Sequence, residues 1–345
     1  MATETDGFRW RLESEEPDML FPTESLVERH VGTGEYRGLE FLQVNAKRVI
    51  NEVPKASRMP FRYTINAYRG CSHACRYCFA RPTHDYLGLN IGEDFDRKIV
   101  VKVNAVERTR AELRSPTWAG DHIAMGTNTD PYQKAEGKYH LTRGIIQVLG
   151  EAANPFSILT KSTLMLRDLD VLTEAATRTS VHLSFSIGTL DRDVWRLTEP
   201  GTPPPDKRVD AVRRFTQAGI RCSVLVAPIL PGLSDHPDQI RAVVDACADA
   251  GATSVSAIPL HLRAGVREHF LGWLGDARPD LTALYDERFR RGAYQSKSVQ
   301  QEITRAVAET RAGGRGLPAA PYERTPPPSP PSPEPPVEAQ LTLHL

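Results

Sequence analysis

The feature that constrains this fold most is an alternation, from Tyr63 to Leu262, between short apolar runs and longer stretches of helical periodicity. The apolar runs predict strands in 62–70, at the start of 98–114, and in 121–133, 156–162, 180–190, 221–232 and 254–262. Helices are predicted for the rest of 98–114 and for 141–153, 167–178, 206–220 and 236–252. Strands that alternate with helices form right-handed βαβ units and a parallel sheet. About six units, each with polar residues at the strand's end, favour an open or closed barrel over a doubly wound sheet, and no GxGxxG follows the first strand.

The flanks of this region divide the chain further. Residues 1–35 are polar and lack periodicity, which predicts a flexible segment, and residues 36–62 form a lead-in segment with one short helix. After the alternating region 63–262, helical stretches fill 263–316. Ten of the chain's 27 prolines lie between 317 and 336, so this stretch is expected to be a polyproline-biased linker, and a short peptide, 337–345, follows it.

The bulk composition is that of a globular protein in an aqueous compartment. Apolar residues make up 40% and charged residues 25% of the chain, and 43 basic residues balance 43 acidic ones. No apolar run reaches the length of a transmembrane helix, and the N-terminus lacks the basic and then apolar order of a signal peptide. We therefore expect a cytoplasmic protein without membrane contacts, in which disulfides are disfavoured.

Three of the five cysteines lie within eight positions, in the stretch CSHACRYC. Cys71, Cys75 and Cys78 follow the first predicted strand, so their thiolates can converge on one metal ion or cluster. Iron–sulfur clusters are usually held by four thiolates, and a set of three leaves one iron open, as a catalytic centre requires. A zinc site that recruits His73, His84 or a distant cysteine is the alternative, although no second cysteine cluster exists to complete it.

The same stretch, with the aromatic Tyr77 before the third cysteine, resembles the CxxxCxΦC signature of radical S-adenosylmethionine (SAM) enzymes. The wider sequence resembles the spore photoproduct lyase-like, DNA repair photolyase-related branch, through ASRMPFRYTINAYRGCSHACRYCFAR, VVKVNA, GTNTDPYQKAE, TKS and VLVAPILPGLSD. The resemblance covers about residues 40–300. It implies an α/β fold with a partial parallel (β/α)6 TIM-like barrel, C-terminal helices and disordered tails.

The resemblance also implies the cofactors, which are a [4Fe–4S] cluster and S-adenosyl-L-methionine. Cys71, Cys75 and Cys78 would be the iron ligands, and Tyr77 would lie near the adenine. An electron from a donor such as flavodoxin or ferredoxin would split SAM into methionine and a 5′-deoxyadenosyl radical, which takes a hydrogen atom from the substrate.

Three further candidates follow the strand predicted in 121–133, within GTNTDPYQKAE. Here the superfamily has a glycine-rich segment near the amine of SAM, so the resemblance assigns Gly126 and Thr127 to cofactor binding, with Asp130 next. A plain strand-to-loop turn is the alternative, since Asp-Pro is typical of turns.

Lys161, Ser186 and Glu199 are the remaining candidates for cofactor binding. Lys161 ends the strand in 156–162 and would hold the carboxylate of SAM; a solvated lysine is the alternative. Ser184 and Ser186 share one strand face, so Ser186 would bond the ribose or the carboxylate, unless both serines merely line a polar lumen. Glu199 lies in a Pro/Gly loop over the barrel mouth and contacts the cofactor, the substrate or neither.

The substrate is less constrained than the cofactors. Residues 58–114 hold 11 basic and 6 acidic residues, and this excess of +5 (11 − 6) suits nucleic-acid phosphates or would balance an anionic cluster and SAM. Spore photoproduct lyase uses a further cysteine as hydrogen donor. This chain has none between Cys78 and Cys222, so we do not expect photoproduct reversal, and we expect Cys222 and Cys247 to be core residues.

The C-terminal peptide suggests a partner. Gln340, Leu341 and Leu343 in AQLTLHL resemble the QLxLF-type peptide by which bacterial repair proteins bind the DNA sliding clamp, with the linker as a tether. A frayed end, or a strand that returns to the domain, is the alternative.

These observations together predict a radical SAM enzyme, of lyase or transferase type, that abstracts hydrogen from an unidentified substrate. A nucleic acid, in a role like DNA repair, is one expected substrate, and another protein or a tRNA is a further one. A non-catalytic iron–sulfur or zinc scaffold linked to DNA transactions is the alternative from another class.

Overall fold

The computed structural model of the chain describes residues 26–312, apart from 55, 56 and 58. Its strands are β1 (Leu26–Val31), β2 (Glu40–Val44), β3 (Ile50–Glu52), β4 (Tyr63–Ile65), β5 (Tyr68–Arg69), β6 (Lys98–Lys102), β7 (Ile123–Met125), β8 (Phe156–Thr160), β9 (Val181–Ser186), β10 (Cys222–Ile229) and β11 (Ser254–Pro259). Its α-helices are α1 (Glu93–Arg97), α2 (Ala105–Leu113), α3 (Lys134–Tyr139), α4 (Leu141–Glu151), α5 (Leu169–Ala176), α6 (Arg192–Thr198), α7 (Pro205–Gln217), α8 (Pro237–Asp249), α9 (Val266–Ala277), α10 (Thr282–Arg288) and α11 (Lys297–Ala312).

The larger sheet has the order β11-β10-β9-β8-β7-β4-β3. All neighbours from β4 to β11 run parallel, and β3 pairs antiparallel with β4 at one edge. Helices α4, α5, α7 and α8 connect successive parallel strands, which is the βαβ arrangement that the sequence predicts. Within the described residues, β3 and β11 are edges that do not pair with each other, so the architecture is an α/β fold with an open sheet.

A smaller sheet, with the order β1-β2-β6-β5, corrects two strand predictions. The run predicted at 62–70 as one strand divides after Ile65, so that β4 joins the larger sheet and β5 pairs with β6. Strand β6, predicted as part of the alternating succession, instead pairs parallel with β2. The Lys102 ammonium donates to the carbonyl of Asn66 (2.8 Å), which ties β6 to the point of division.

The flanking segments also differ from the prediction in part. Residues 26–31, within the segment expected to be flexible, form β1, and the short helix expected in the lead-in segment is replaced by β2 and β3. Residues 1–25 and 313–345, with the linker 317–336 and the peptide 337–345, lie outside the described residues. None of the helices described is long and apolar enough to cross a membrane.

Two apolar cores position the site. The main core lies between the larger sheet and its helices, and it includes Phe156, Phe185 and Phe215. A second core packs Tyr77 of the cysteine loop against Phe270 of α9 and neighbouring residues. Burial of one such phenylalanine contributes about 1.5–3 kcal/mol. Residues of the C-terminal helices and of the cysteine loop therefore share one apolar core.

Candidate active site

The three clustered cysteines lie on the loop between β5 and α1. Cys71 and Cys75 are buried, Cys78 is partly exposed, and all three are free thiols. Two turns shape the loop, because the N–H of Ala74 donates to the carbonyl of Cys71 (3.2 Å) and the N–H of Cys78 donates to the carbonyl of Cys75 (3.2 Å). The cysteine spacing thus corresponds to one tightly turned, shielded loop.

The segment after β7 holds the start of this loop. The carbonyl of Gly70 accepts from the hydroxyl of Thr129 (2.6 Å) and from the side-chain amide of Gln133 (2.8 Å). The side-chain oxygen of Gln133 accepts from the N–H of Ser72 (3.0 Å). Gln133 is fully buried, so loss of its side chain would leave the N–H of Ser72 without this acceptor and remove one of the two side-chain donors to Gly70.

Asp130 links three segments through its two carboxylate oxygens. One oxygen accepts from the hydroxyl of Thr160 (2.6 Å) and the N–H of Tyr132 (2.9 Å). The other accepts from the N–H of Lys161 (2.7 Å) and lies 3.3 Å from Nδ1 of His73. Burial would raise the pKa of Asp130, but these donors outweigh it and lower the pKa. Both oxygens have protein partners, so Asp130 joins β8 to the cysteine loop.

The loop after α6 packs against the cysteine loop from the other side. The N–H of Gly201 donates to the carbonyl of His73 (3.0 Å), and the N–H of Arg76 donates to the carbonyl of Thr198 (3.0 Å). A Cβ on Gly201 would lie 2.2 Å from the carbonyl oxygen of Ser72. Glycine is therefore required for the two loops to approach this closely.

Arg81 is fully buried and fixes the backbone of the cysteine loop through hydrogen bonds. Its guanidinium donates twice to the carbonyl of Cys75, from Nε (3.2 Å) and Nη2 (3.0 Å). It also donates to the carbonyls of Ile91 (2.9 Å) and Gly92 (3.0 Å) and pairs with Asp96 (2.8 Å). A buried guanidinium with these partners holds the backbone of Cys75 rigidly.

Four of the residues predicted from the sequence meet in a buried cluster with Arg208. We call it the Glu199 cluster, and it comprises Tyr77, Lys161, Ser186, Glu199 and Arg208. The Lys161 ammonium donates to the Ser186 hydroxyl (2.5 Å) and lies 3.4 Å from one oxygen of Glu199. Arg208 donates to the other oxygen (2.5 Å), and the Tyr77 hydroxyl also donates to Glu199. The cluster lies at the C-terminal ends of β8 and β9.

The charges of this cluster stabilise the ionised form of Glu199. Burial would raise the pKa of Glu199, but Arg208, Lys161 and Tyr77 together lower it to about 2. Burial raises the pKa of Tyr77 well above its usual range, and the charge of Glu199 raises it further. At neutral pH the cluster therefore holds a carboxylate, two cations and a neutral phenol.

Burial and nearby charges, including those of the Glu199 cluster, shift the pKa values of Cys75 and Cys78. Burial and the charge of Glu199 raise the pKa of Cys75 well above its usual range, while Lys161 opposes them. Burial and Cys71 raise the pKa of Cys78 to about 11. The thiols of Cys75 and Cys78 therefore keep their protons at neutral pH until a metal centre stabilises the thiolates.

Gly126 and Thr127 directly follow β7. Gly126 has a φ of +85°, and a Cβ there would lie 1.9 Å from the carbonyl oxygen of Leu159, so glycine is required on both counts. Thr127 is half-buried, and within the described residues its hydroxyl makes no hydrogen bond. These two residues lie at the same sheet edge as the Glu199 cluster but outside its hydrogen-bond network.

Three free thiols on one loop are the kind of donor set that iron–sulfur clusters use. In the part of the chain that the structure describes, no three His, Cys, Asp or Glu side chains are grouped so as to hold one ion. Zinc requires its ligands at about 2.0–2.3 Å from one point, whereas thiolates of a [4Fe–4S] cluster bind separate irons. His73 faces Asp130, and His84 bonds the carbonyl of Lys98 (2.9 Å), so both have other partners.

Sequence reasoning missed Arg208, Arg81 and Gln133. Arg208 carried a usable signal, because it falls on the same face of α7 as the buried Val212 and Phe215, where a charged residue is unexpected. Gln133 and Arg81 gave no comparable signal, since most of their partners are backbone groups that only the folded chain brings near.

The chain is similar to known proteins in sequence and in fold. The family model of the radical SAM superfamily matches residues 65–247. An uncharacterized protein of Mycobacterium tuberculosis is 45% identical over 297 residues, which cover 85% of this chain and 87% of that protein. A radical SAM Nalpha-GlyT isomerase of Pseudomonas phage M6 is 27% identical over 187 residues, or 54% of this chain and 36% of the phage protein.

A solved structure shows the same fold. Spore photoproduct lyase complexed with dinucleoside spore photoproduct superposes with a TM-score of 0.60 and 18% identity, over 79% of each chain. The predicted resemblance, the assignment as an enzyme and the cofactors of the superfamily, a [4Fe–4S] cluster and SAM, are thereby confirmed. Enzymes of this kind generally need a reductant. Because the family model spans more than half of the chain and includes the cysteine loop, the chain belongs to the radical SAM superfamily.

Proposed function

We propose that the chain binds a [4Fe–4S] cluster through Cys71, Cys75 and Cys78 and uses SAM to abstract a hydrogen atom from its substrate. The observation that carries this proposal is the set of three free thiols on one shielded loop, beside a buried lysine–carboxylate cluster. When bound there, the two cofactors supply the electron and the 5′-deoxyadenosyl radical. In this proposal β4 and β7 to β11 are the strands of a partial (β/α)6 barrel that ends at the loop.

Lys161 is assigned to the carboxylate of SAM. The Glu199 cluster contains two cations and one anion, so one positive charge (2 − 1) remains for an anionic ligand. The Ser186 hydroxyl (2.5 Å) and the carbonyl of Ala227 (3.2 Å) both accept from the Lys161 ammonium and orient it. Arg208, 1% exposed in its side chain, acts by neutralising Glu199 rather than by contacting SAM.

The remaining predicted residues have distinct roles in this proposal. The Tyr77 ring, centred 5.7 Å from the Lys161 ammonium, flanks the position of SAM. Gly126 has no side chain to cover the backbone after β7, so SAM can approach it there. The hydroxyl of Thr127, which makes no hydrogen bond within the described residues, is available to SAM. Asp130 positions the cysteine loop instead of binding the cofactor, because both of its oxygens already have partners.

A nucleic acid is the substrate class that we favour. The excess of basic residues in 58–114 supports it, and so does the fold shared with spore photoproduct lyase, which was solved with a dinucleoside photoproduct. A role in DNA repair is proposed on this ground. Photoproduct reversal itself is not proposed, since Cys222, the next cysteine after Cys78, is buried in the core of the fold.

Two partners and a compartment are proposed with this function. Flavodoxin or ferredoxin would supply the electron in the cytoplasm. The C-terminal peptide, through Gln340, Leu341 and Leu343, would recruit the enzyme to the DNA sliding clamp. Saturable binding of a 337–345 peptide to purified clamp tests the second partner, and its absence rejects it.

Anaerobic purification followed by reaction with dithionite and SAM tests the proposed function. We expect a brown protein that releases 5′-deoxyadenosine, with the release stimulated by duplex DNA, damaged DNA, single-stranded DNA or tRNA according to the substrate class. Cys78→Ala should lose iron and release no 5′-deoxyadenosine. Cys222→Ala is the matched control and should keep both, because Cys222 is a core residue away from the loop.

The alternative of a non-catalytic scaffold makes the opposite prediction. A colourless, zinc-loaded protein, or a brown protein that leaves SAM intact after reduction, would support the scaffold and reject the enzyme. The observation against the zinc version is that His73 faces Asp130 and His84 bonds the carbonyl of Lys98, so both candidate additional ligands have other partners.

A further inference from the structure

Three aromatic rings lie in a row beside the cysteine loop; they belong to Phe79, His261 and Tyr294, and we call them the stack. The rings of Phe79 and His261 are tilted by 36° with their centroids 6.0 Å apart, and those of His261 and Tyr294 stack with their centroids 5.6 Å apart and 21° between the ring planes. Phe79 is 45% exposed and Tyr294 is 55% exposed. Rings that stack on one another at the surface offer flat apolar area to a ligand.

The stack is attached to the site already described. Phe79 directly follows Cys78 in the chain, so the stack begins one residue from a proposed iron ligand. His261 lies just after β11, near the C-terminal end of a strand of the larger sheet. An antiparallel backbone bridge joins His261 to Tyr294 and fixes the two rings relative to each other. A ligand on these rings would therefore lie beside the reaction centre.

Arginines without ion pairs accompany the stack. Arg263, Arg290 and Arg291 are exposed, and within the described residues none of them has an acidic partner. The stretch RFRRGAYQSK around Tyr294 contains four basic residues and no acidic one. Arg263 is near enough to His261 to act on its imidazole: burial and this charge both lower the pKa of His261, which keeps the ring neutral at pH 7.

We propose that single-stranded nucleic acid binds here, with unpaired bases on Phe79 and Tyr294 and phosphates on the three arginines. Aromatic side chains stack on the faces of all bases, and free guanidinium groups bind phosphates, so the two features together suit this ligand. Apolar peptides bind in grooves rather than on flat rings bordered by cations. This inference rests on the proposed function and narrows its substrate class to an unstacked base.

Fluorescence anisotropy with labelled single-stranded DNA tests the inference on the full-length, anaerobically reconstituted protein. We expect Tyr294→Ala to weaken binding roughly tenfold and Tyr294→Phe to restore it, because the ring stacks on the base and the hydroxyl does not. Tyr86→Ala removes another exposed ring (51% exposed) and is the matched control, which should bind like the wild type. Replacing Arg290 and Arg291 by alanine should reduce the slope of log Kd against the logarithm of the salt concentration by about 1–2.

Iron content and melting temperature show whether a variant that loses binding has kept its fold. Equal binding by Tyr294→Ala and the wild type overturns the inference, and so does tighter binding of an intact duplex. If Tyr294→Ala instead slows reduction of the cluster by flavodoxin and leaves DNA binding unchanged, the stack is a docking surface for the reductant and the inference is wrong. Wild-type protein that binds single strands without releasing 5′-deoxyadenosine refutes the proposed function alone.

Discussion

Two buried carboxylates, Glu136 and Glu199, are each paired with a tyrosine hydroxyl and an arginine, but they differ in their remaining partners. Glu136 also accepts from the N–H groups of Thr142 (2.9 Å) and Arg143 (3.3 Å), in the first turn of α4. A helix leaves these amides without internal partners, so Glu136 acts as a cap that fixes the start of α4.

Glu199 has no backbone donor to its carboxylate among the described residues, and its partners are all side chains. One of them, Lys161, is near enough to Cys75 to act on the pKa of its thiol. Burial and ion pairing are therefore found in both groups. One is the group around Glu136, which we call the structural cluster, and the other is the Glu199 cluster, which is the functional candidate. The candidate is distinguished by its net positive charge, two cations around one carboxylate, and by its position next to the cysteines.

Arg208→Met should show the largest effect. Removing the guanidinium leaves Glu199 buried with too little positive charge, and breaking a buried ion pair in this way costs about 3–5 kcal/mol. Urea unfolding at pH 7 measures the loss. The double variant Glu199→Gln with Arg208→Met should recover most of the stability without restoring SAM cleavage, since the unpaired charge is gone but Lys161 has lost its support. A loss below about 1 kcal/mol in the single variant would contradict this account.

Arg167→Met is the matched change in the structural cluster. Arg167 pairs with Glu136 (2.9 Å) and Asp168 (2.8 Å), but its side chain is 25% exposed, so we expect a smaller loss of about 1–3 kcal/mol. Release of 5′-deoxyadenosine per mole of folded protein should equal that of the wild type. If Arg167→Met reduced cleavage as strongly as Arg208→Met does, the distinction between the two clusters would be wrong.

The pH dependence of stability sharpens the comparison next. The pKa of Glu199 is lowered from 4.5 to about 2, so its ionised form stabilises the fold above pH 4.5 and this contribution is lost as the pH falls towards 2. The shift corresponds to about 3 kcal/mol. The wild type should exceed Glu199→Gln by this amount at pH 7 and by much less at pH 3, as measured by urea unfolding at both values. A difference that does not change with pH would show that the glutamine variant is destabilised for another reason.

The elements that sequence reasoning located well are those with long, bounded periodic patterns. Helices α7 and α8 begin at Pro205 and Pro237, and the apolar face of each recurs over thirteen residues. The partner of a short strand is not encoded locally, which is why β6 was assigned to the wrong sheet. Its position depends on pairing with β2 and on the contact between Lys102 and Asn66, across 36 residues.

The residues of the candidate site also fall into those that a local sequence pattern indicates and those that only long-range contacts identify. The cysteine spacing is local and could be recognised within eight residues, and the strand ends indicated Lys161 and Ser186. The contact of Tyr77 with Glu199 joins residues that are 122 positions apart, and no local pattern predicts it. Arg208 was overlooked because most arginines on helices are solvated, so its role depends on a partner that only the folded structure supplies.

Lys161→Met tests directly whether the Lys161 ammonium binds the carboxylate of SAM. Loss of a charged hydrogen bond to the carboxylate of SAM should raise the KM for SAM by about 10- to 100-fold, with a smaller loss of stability than in Arg208→Met because Arg208 still pairs with Glu199. Lys102→Met is the control, since Lys102 is a second buried lysine, and burial lowers its pKa to about 8. It should leave the KM unchanged. An equal rise in KM for both variants would point to a general effect of losing a buried lysine.

The smallest effect is expected at the outer edge of the structural cluster, at Asp170. Arg143 joins Asp168 (3.2 Å) to Asp170 (2.6 Å), but the side chain of Asp170 is 64% exposed, so solvent and salt screen this pair. Asp170→Asn should therefore cost about 0.5 kcal/mol at low salt and nothing measurable at about 1 M salt. The cost of Glu199→Gln should persist in the same salt series, because Glu199 and its partners are shielded from ions. If both costs disappeared with salt, the Glu199 cluster would be solvent-accessible, and its fixed charge could not serve to hold a cofactor carboxylate.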